Sequence, residues 1–269
     1  MQIKNVIYKV IFLSIIIIIS NCQKDPSNKT INIFSIEDDK KLGLQVKQEI
    51  ERDTVNYKIL NETKYPEAYS HINRIVTNIL NSGKVFYKND FAWETKILVD
   101  DSTLNAFCVP GGYLYIYTGL IKYLDSEDQV AGVMAHEIAH ADRRHATEIL
   151  TKQYGISVLL EVVLGKNQGL LSEIGSSLLT LSFSRENEYE ADEYSVKYLC
   201  PTEYNSAGAA AFFEKLLAAN QVGHTPAFLS THPDPGNRVE KIKELKTSFN
   251  CQGDSTFTQR YIAFKQSLP

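Results

Sequence analysis

The chain has 269 residues, of which 43% are hydrophobic and 22% are charged, and its formal net charge at pH 7 is -4. These values are typical of a globular protein and exclude a disordered or collagen-like chain. Because 32 acidic residues outnumber 28 basic ones and no basic block occurs, nucleic acid is not an expected partner.

The first 21 residues differ from the rest of the chain. Lys4 and Lys9 precede an apolar core at residues 10–19. The length of this core is about half of the roughly 20 apolar residues that are needed to span a bilayer. Residues 1–21 are therefore predicted to be a signal peptide, with a transmembrane helix as the alternative. The sequence Ile-Ser-Asn-Cys that ends at Cys22 resembles the lipobox of bacterial lipoproteins. It implies a lipid on Cys22, a flexible tether over residues 22–34, and attachment to the bacterial outer membrane, on its periplasmic or cell-surface side.

Residues 35–269 are predicted to form one mostly helical domain, because no repeat, low-complexity run or proline-rich linker divides them. Three short apolar runs predict strands near the middle of the chain, at residues 96–99, 104–109 and 113–117. Apolar residues at helical spacing predict helices over residues 35–50, 66–80, 126–150, 154–164, 170–182, 184–199, 205–220 and 236–247.

Three cysteines follow Cys22. A lipoprotein folds in an oxidising compartment, so one disulfide and one spare thiol are expected. Cys200 and Cys251 lie at the ends of predicted helices, whereas Cys108 lies within a strand. We therefore predict the pair Cys200–Cys251. Cys108 is expected to be a small buried apolar residue, and a nucleophilic thiol is its functional alternative.

Residues 136–140, His-Glu-Ile-Ala-His, form an HExxH motif inside the helix predicted from residue 126. Four residues turn a helix by about 400°, so His136 and His140 share a face, one turn apart. This spacing lets both imidazoles bind one Zn²⁺ ion. Glu137 lies within about 100° of each histidine, where it can act on a water molecule without binding the metal. The motif predicts one zinc ion per chain and a catalytic role for Glu137.

A catalytic zinc ion needs a third protein ligand and an open position. The longer pattern HExxHxxGxxH is absent, since Arg143 and Ala146 stand where it has its glycine and its third histidine. His145 is about 140° around a continuous helix from His140, which directs it away from the metal. The third ligand is therefore expected from another part of the chain.

The best candidate lies in the helix predicted over residues 184–199. Glu188 and Asp192 are four residues apart and share a face, whereas Glu190 is about 200° from Glu188 and is expected in a solvated acidic face. A glutamate ligand with an aspartate one turn later supplies a metal oxygen and a carboxylate that orients a ligand imidazole. Glu188 is the predicted third ligand, and Asp192 the orienting group.

At this point the chain resembles the zinc metallopeptidase family that includes BepA, HtpX and the CAAX prenyl endopeptidases, over roughly residues 35–245. The resemblance rests on four motifs: Leu104-Asn105-Ala106-Phe107 with Pro110-Gly111-Gly112, His136 to His140, Ser184-Arg185 through Glu188 to Asp192, and Ser230-Thr231-His232-Pro233. It implies a zincin-type α+β domain, predominantly α-helical, in which the edge strand of a small three-stranded sheet borders the active-site helix. It also implies that His136, His140 and Glu188 bind zinc and that Glu137 is the general base.

The resemblance implies further roles outside the zinc motif. His232 is expected either to fill the fourth zinc position and gate the site or to stabilise the oxyanion, with a plain loop histidine as the alternative. Arg238 is expected near the site. Asn105, Gly112 and Tyr113 are expected to hold substrate backbone along an exposed edge of the strand at 113–117.

Together these features predict a zinc-dependent endopeptidase that hydrolyses unfolded or misassembled proteins of the cell envelope. With no further membrane span or repeat domain expected, the chain falls in a compact single-domain lipoprotein branch of the family, and we expect a monomer. The alternative function is an envelope chaperone or binding lipoprotein with a structural four-ligand zinc site. Glu137 argues against it, because a structural zinc site needs no general base.

Overall fold

The structure is a computed structural model that describes residues 32–269 with the exception of 156, 158–160, 163–165, 179, 222–226 and 233–235. The predicted signal peptide, Cys22 and most of the predicted tether lie outside the described residues, as do Pro233 and much of the helix predicted over 154–164. Within the described part of the chain, the helices are too short or too polar to cross a bilayer.

Helices dominate the described chain and surround a small sheet. The first elements are α1 (Ile36–Arg52), α2 (Pro66–Leu80), β1 (Glu94–Leu98), β2 (Ala106–Val109), β3 (Tyr113–Tyr117) and α3 (Thr118–Tyr123). They are followed by α4 (Glu127–Asp142), α5 (His145–Tyr154), α6 (Gln168–Leu178), α7 (Arg185–Leu199), α8 (Gly208–Gln221), α9 (Phe228–Thr231), α10 (Arg238–Ser248) and α11 (Thr258–Gln266). The predicted α+β, predominantly helical fold class is confirmed. The short helices α3 and α9 and the last helix, α11, were not predicted.

Helix α1 begins at the residue that the sequence indicated. Ser35 Oγ accepts a hydrogen bond from the Asp38 N–H, and the Asp38 carboxylate accepts one from the Ser35 N–H, which together form a capping box. The apolar side chains at a spacing of four, Leu42, Val46 and Ile50, are buried. They pack against β2 and β3, so α1 covers one face of the sheet.

The sheet has the strand order β1-β3-β2, with β3 parallel to β1 and antiparallel to β2. The expectation of an exposed edge along residues 113–117 is therefore wrong, because β3 is paired on both sides. Its hairpin partner β2 covers one edge, and the more distant strand β1 covers the other. The strand that borders the HExxH helix from the edge of the sheet is β2.

Helix α4 carries the HExxH motif, and every one of its residues is buried. It packs against α7, α8, α2 and β2. Its first residue, Glu127, is fully buried and accepts hydrogen bonds from Arg74, Arg260 and the Tyr204 hydroxyl. Although burial opposes ionisation, these bonds lower the pKa of Glu127 to about 2. A negative charge at a helix N-terminus is also favoured by the helix dipole.

The prediction that this helix continues to residue 150 is wrong, because α4 ends at Asp142 and a second helix begins at His145. Between them Arg144 adopts a left-handed conformation with φ 62°. Its guanidinium donates to the buried Asp39 carboxylate and to the Phe34 carbonyl oxygen, both at 2.5 Å. These distant contacts stabilise a backbone conformation that a non-glycine residue rarely adopts.

Candidate metal centre

Three separate segments bring the predicted site residues together. Helix α4 carries His136, Glu137 and His140, α7 carries Glu188, and His232 directly follows the short helix α9. All five side chains are at most 2% exposed. Helix α7 is positioned by its own capping box, in which Ser184 and Asn187 exchange hydrogen bonds. The site is therefore built in the core of the domain and not on its surface.

The metal-binding atoms of four residues converge. His140 Nε2 lies 3.0 Å from His136 Nε2 and 3.4 Å from Glu188 Oε1, and His136 Nε2 lies 3.5 Å from Glu188 Oε2. His232 Nδ1 lies 2.9 Å from Glu188 Oε1 and 3.4 Å from His136 Nε2. Ligands at 2.0–2.1 Å around a tetrahedral zinc ion are about 3.3 Å apart. The donor set and its spacing therefore fit one zinc ion, with His232 at the fourth corner.

Glu137 lies beside this cluster without contributing to it. Its Oε1 atom is 3.5 Å from His232 Nε2, the ring nitrogen that faces away from the other three donor residues. Among the described residues, Glu137 Oε1 has no hydrogen-bond partner. Burial raises the pKa of the Glu137 carboxyl above its ordinary value, with His232 and His136 acting in the opposite direction. This is the arrangement that the sequence predicted for a base that does not bind the metal.

Asp192 and Arg238 hold the outer side of the cluster. Asp192 Oδ1 is 3.0 Å from His136 Nδ1, as expected for a carboxylate that orients a ligand imidazole. Arg238 is fully buried and contacts Asp192 with two nitrogen atoms, at 2.6 and 2.7 Å, and Glu188 Oε2 with a third, at 2.6 Å. Although burial opposes it, the Arg238 guanidinium helps to hold the pKa of Asp192 below its ordinary value. Arg238 therefore lies near the site, where its positive charge balances the negative charges of two buried carboxylates.

The predicted substrate-binding residues separate into two groups. Asn105 immediately precedes β2, the edge strand, and its carbonyl oxygen accepts a hydrogen bond from the Tyr117 N–H. Gly112 and Tyr113 lie where the sheet pairs on both sides: the Gly112 carbonyl oxygen accepts a hydrogen bond from the Glu94 N–H of β1, and Tyr113 is paired with Val109 of β2 as well as with Glu94. The expectation that Gly112 and Tyr113 hold substrate along a free edge is therefore wrong, because β1 and β2 already occupy both edges of β3.

His145 does not point away from the metal ligands, in contrast to the prediction from a continuous helix. The break at residues 143–144 turns it back, so that His145 Nδ1 lies 2.9 Å from His140 Nδ1. Glu190, expected in a solvated acidic face, is partly buried and lies 3.1 Å from His145 Nε2 and 2.9 Å from Arg143 Nε. Nothing in the local sequence signalled these contacts, since they depend on the left-handed turn.

Aromatic rings pack against two imidazoles of the site. Phe183 stacks on His140 and Phe228 stacks on His232, with ring centroids 3.9 and 4.2 Å apart.

Cys200 and Cys251 form a disulfide, which confirms the predicted pair. It joins the end of α7 to the segment after α10, and the loop of chain that it closes contains His232 and Arg238. Cys108 is a free cysteine, and burial raises the pKa of its thiol well above the ordinary value.

The chain is similar to several known metallopeptidases. Over 184 residues it is 32% identical to the mitochondrial metalloendopeptidase OMA1 of Schizosaccharomyces pombe, and the aligned region covers 67% of this chain and 53% of that protein. Over 157 residues it is 34% identical to OMA1 of Arabidopsis thaliana, with 57% of this chain and 31% of that protein covered. Over 185 residues it is 30% identical to the beta-barrel assembly-enhancing protease of Escherichia coli, with 64% of this chain and 38% of that protein covered. The chain spans about half the length of these relatives or less.

The model of peptidase family M48 matches residues 66–246, which is more than half of the chain. The matched region contains the HExxH helix, Glu188 and His232, and thus all four residues of the donor cluster. The predictions of a metallopeptidase domain and of one zinc ion per chain are therefore confirmed. Together with the four motifs, the match shows that the chain belongs to peptidase family M48.

Proposed function

We propose that the protein is a zinc-dependent endopeptidase that hydrolyses peptide bonds in unfolded or misassembled proteins of the bacterial cell envelope. The observation that carries the proposal is the position of Glu137. This carboxylate lies beside a four-donor metal cluster, is buried, and contributes no ligand to it. A purely structural zinc site has no use for such a group.

The side chains of the site divide the work of hydrolysis among them. Zinc, when bound by His136, His140 and Glu188, supplies a Lewis acid that activates water and the substrate carbonyl group. Glu137 takes the proton of the attacking water and returns it to the leaving amine. Asp192 holds the imidazole of His136 in place, and the surrounding core excludes bulk water.

Strand β2 is the proposed binding edge for the substrate. The Asn105 carbonyl oxygen points towards β3, and backbone groups alternate in direction along a strand, so those of Ala106 and Cys108 point away from the sheet. An extended peptide paired there would run past α4. Because backbone hydrogen bonds read little sequence, this mode favours unfolded or extended segments of many sequences.

His232 is proposed to gate the site. Its Nδ1 atom stands at the fourth corner of the donor cluster, where an active zinc enzyme needs an open position. The segment that carries it is held on two sides, by a hydrogen bond from the Phe228 N–H to the Leu104 carbonyl oxygen and by one from the Phe183 N–H to the Thr231 carbonyl oxygen. Leu104 adjoins the proposed substrate edge, so a bound peptide could displace this segment.

The gate is tested with His232→Ala and a casein substrate. A gate predicts that the variant cleaves casein faster than the unmodified protein, because the fourth position becomes open. A role in stabilising the oxyanion predicts slower cleavage, and an unchanged rate would remove both roles. His71→Ala is the matched control, since His71 stacks on Phe264 and is not part of the donor cluster.

The cellular role rests on the N-terminal sequence and on the relatives. The predicted lipobox supports a lipid on Cys22 and attachment to the outer membrane, and one relative is named a beta-barrel assembly-enhancing protease. The OMA1 relatives are named as mitochondrial, so similarity alone does not select the compartment. Metabolic labelling with a fatty-acid analogue tests the anchor: Cys22→Ser should abolish labelling, and persistent labelling would contradict it.

The closed arrangement of four donors also favours a second candidate, an envelope chaperone or binding lipoprotein with structural zinc. Glu137→Gln separates the two functions. The endopeptidase proposal expects loss of casein cleavage with the zinc content retained, and chelation should abolish cleavage by the unmodified protein. Glu186→Gln, which changes an exposed carboxylate of α7, is the matched control. An unmodified, zinc-loaded protein that never cleaves an unfolded substrate would support the binding role.

A further inference from the structure

A histidine and a carboxylate lie behind the zinc ligand His140, outside the donor set. The Nε2 atom of His140 faces the other metal-binding atoms, and its second ring nitrogen, Nδ1, lies 2.9 Å from Nδ1 of His145. The Nε2 atom of His145 in turn lies 3.1 Å from Glu190 Oε2. His145 is fully buried, so no bulk water replaces these contacts.

The protons along this row have one consistent arrangement for a neutral pair of imidazoles. Nε2 of His140 must carry a lone pair to bind zinc, so its proton is on Nδ1. Two ring nitrogens that face each other can share only one proton, and Nδ1 of His145 is therefore the acceptor. The proton of His145 is then on Nε2, where it meets Glu190, whose ionised carboxylate can only accept. Each donor in the row faces an acceptor.

Glu190 is itself held in place. Arg143 Nε donates to Glu190 Oε1 at 2.9 Å, and the Arg143 guanidinium is buried and lies over the ring of Tyr194. The left-handed turn at Arg144 is what brings Arg143 and His145 to the same carboxylate. The turn and the row of contacts therefore belong to one local structure.

We propose that Glu190 and His145 form a positioning pair that holds the proton of His140 on Nδ1 and thereby sets the zinc affinity of the site. The other histidine ligand, His136, has Asp192 in the same role, so each imidazole is oriented by its own carboxylate. In His140 the carboxylate acts through a second histidine. The inference rests on the zinc site of the proposed function, and its test measures zinc binding without substrate. A protein that binds zinc as expected but cleaves nothing would contradict the proposed function alone.

The test is a zinc titration of the full chain, first freed of metal, in competition with a chromophoric chelator. Removing a group that orients a metal-binding histidine typically weakens metal binding by about 10–100-fold, and we expect this for His145→Leu. His145→Asn should recover most of the affinity, because its Oδ1 atom stands near the place of Nδ1 and accepts the same hydrogen bond. Glu190→Leu should weaken binding, and Glu190→Gln, which keeps an acceptor oxygen, should weaken it less.

Controls separate positioning from a general loss of structure. His71→Leu removes a partly buried histidine elsewhere and should leave the zinc affinity unchanged. Thermal unfolding of the metal-free variants reports any purely structural effect, which would lower their stability equally for Leu and Asn. Equal zinc affinities for His145→Leu and the unmodified protein, or equal weakening by Leu and Asn, would overturn the proposal.

A measurement on the unmodified protein keeps the proposal testable even where a variant fails to fold. In the zinc-loaded chain with ¹⁵N-labelled histidine, NMR should find His140 protonated on Nδ1 and His145 protonated on Nε2. A zinc-loaded His140 without a proton on Nδ1, or a His145 with its proton on Nδ1, would refute the positioning pair.

Discussion

The disulfide between Cys200 and Cys251 is expected to contribute a large part of the stability of this domain. It joins residues 51 positions apart and closes a loop that contains α8, His232 and Arg238. The perturbation is the double variant Cys200→Ala/Cys251→Ala. Without the crosslink, the unfolded chain gains the conformational freedom of that loop, whereas the folded chain loses only two small sulfur atoms.

The magnitude follows from the length of the loop. The entropy of closing a loop of this size corresponds to about 4 kcal/mol at 25 °C, within the 2–5 kcal/mol typical of native disulfides. A domain of this size is usually stable by about 5–15 kcal/mol, so the loss is a substantial fraction of the total. For a protein of 150–250 residues, it corresponds to a fall in melting temperature of roughly 8–16 °C.

The assay is urea unfolding of the metal-free protein, followed by circular dichroism, with and without a reductant. Reductant should destabilise the unmodified protein by the same amount as the double substitution, and it should have no effect on the double variant. Cys108→Ala, which removes the free thiol, should respond to reductant as the unmodified protein does. If reductant changes the free energy of unfolding of the unmodified protein by less than about 1 kcal/mol, the loop-entropy reasoning is wrong.

Three further changes test how the rest of the domain is held together. Glu127→Gln removes a buried carboxylate that pairs with two arginines. Because both arginine side chains are partly exposed, solvent screens these pairs, and the free energy of unfolding at pH 7 should fall by about 1–3 kcal/mol. The folded pKa of Glu127 lies below the ordinary value, so the contribution of its carboxylate is present above about pH 4.5 and is lost as the pH falls towards 2. In urea unfolding, the stabilities of the variant and the unmodified protein should therefore converge at low pH, and a constant difference would contradict this. Gly43→Ala places a Cβ atom 1.7 Å from the Pro110 carbonyl oxygen and should lower the free energy of unfolding by more than about 1 kcal/mol, while Leu44→Ala, at an exposed position of the same helix, should change it by less than about 0.5 kcal/mol. In Asp142→Asn, an amide nitrogen takes the place of a carboxylate oxygen that accepts a hydrogen bond, and the nitrogen cannot accept one. The free energy of unfolding should therefore fall by about 1–3 kcal/mol, which a lower melting temperature would reveal. An unchanged melting temperature would show that water replaces the lost hydrogen bond.

The sequence alone was sufficient where the chemistry depends on spacing within one helix. His136, Glu137 and His140 lie on neighbouring faces of α4 because of the pitch of an α-helix, and the same reasoning separated Glu188 and Asp192 from Glu190 in α7. The helix starts at Ser35 and Ser184 also depend on local contacts, because each serine forms a capping box with the residue three positions later. These contacts are short in sequence, and a pattern can therefore predict them.

Prediction failed where a distant contact overrode a local pattern. The apolar spacing from residue 126 predicted one helix as far as residue 150, but Arg144 turns the chain to reach Asp39, more than a hundred residues earlier. That turn directs His145 towards His140, opposite to the prediction. No residue near the turn signals it, because arginine has no preference for the left-handed conformation.

The order of the strands could not be read from the sequence either. Alternating and apolar runs predict that strands exist, but β1 could have paired with either edge of the β2–β3 hairpin. It pairs with β3, which leaves β2 as the edge beside the HExxH helix. The sequence by itself thus determined the family and predicted the metal ligands of α4 and the proposed general base, because these depend on contacts within one helix and on motifs. Only the tertiary structure decided which strand lies at the edge of the sheet beside the HExxH helix, where His145 points and how Arg238 balances the charges of two buried carboxylates, because those depend on packing between segments that are distant in the chain.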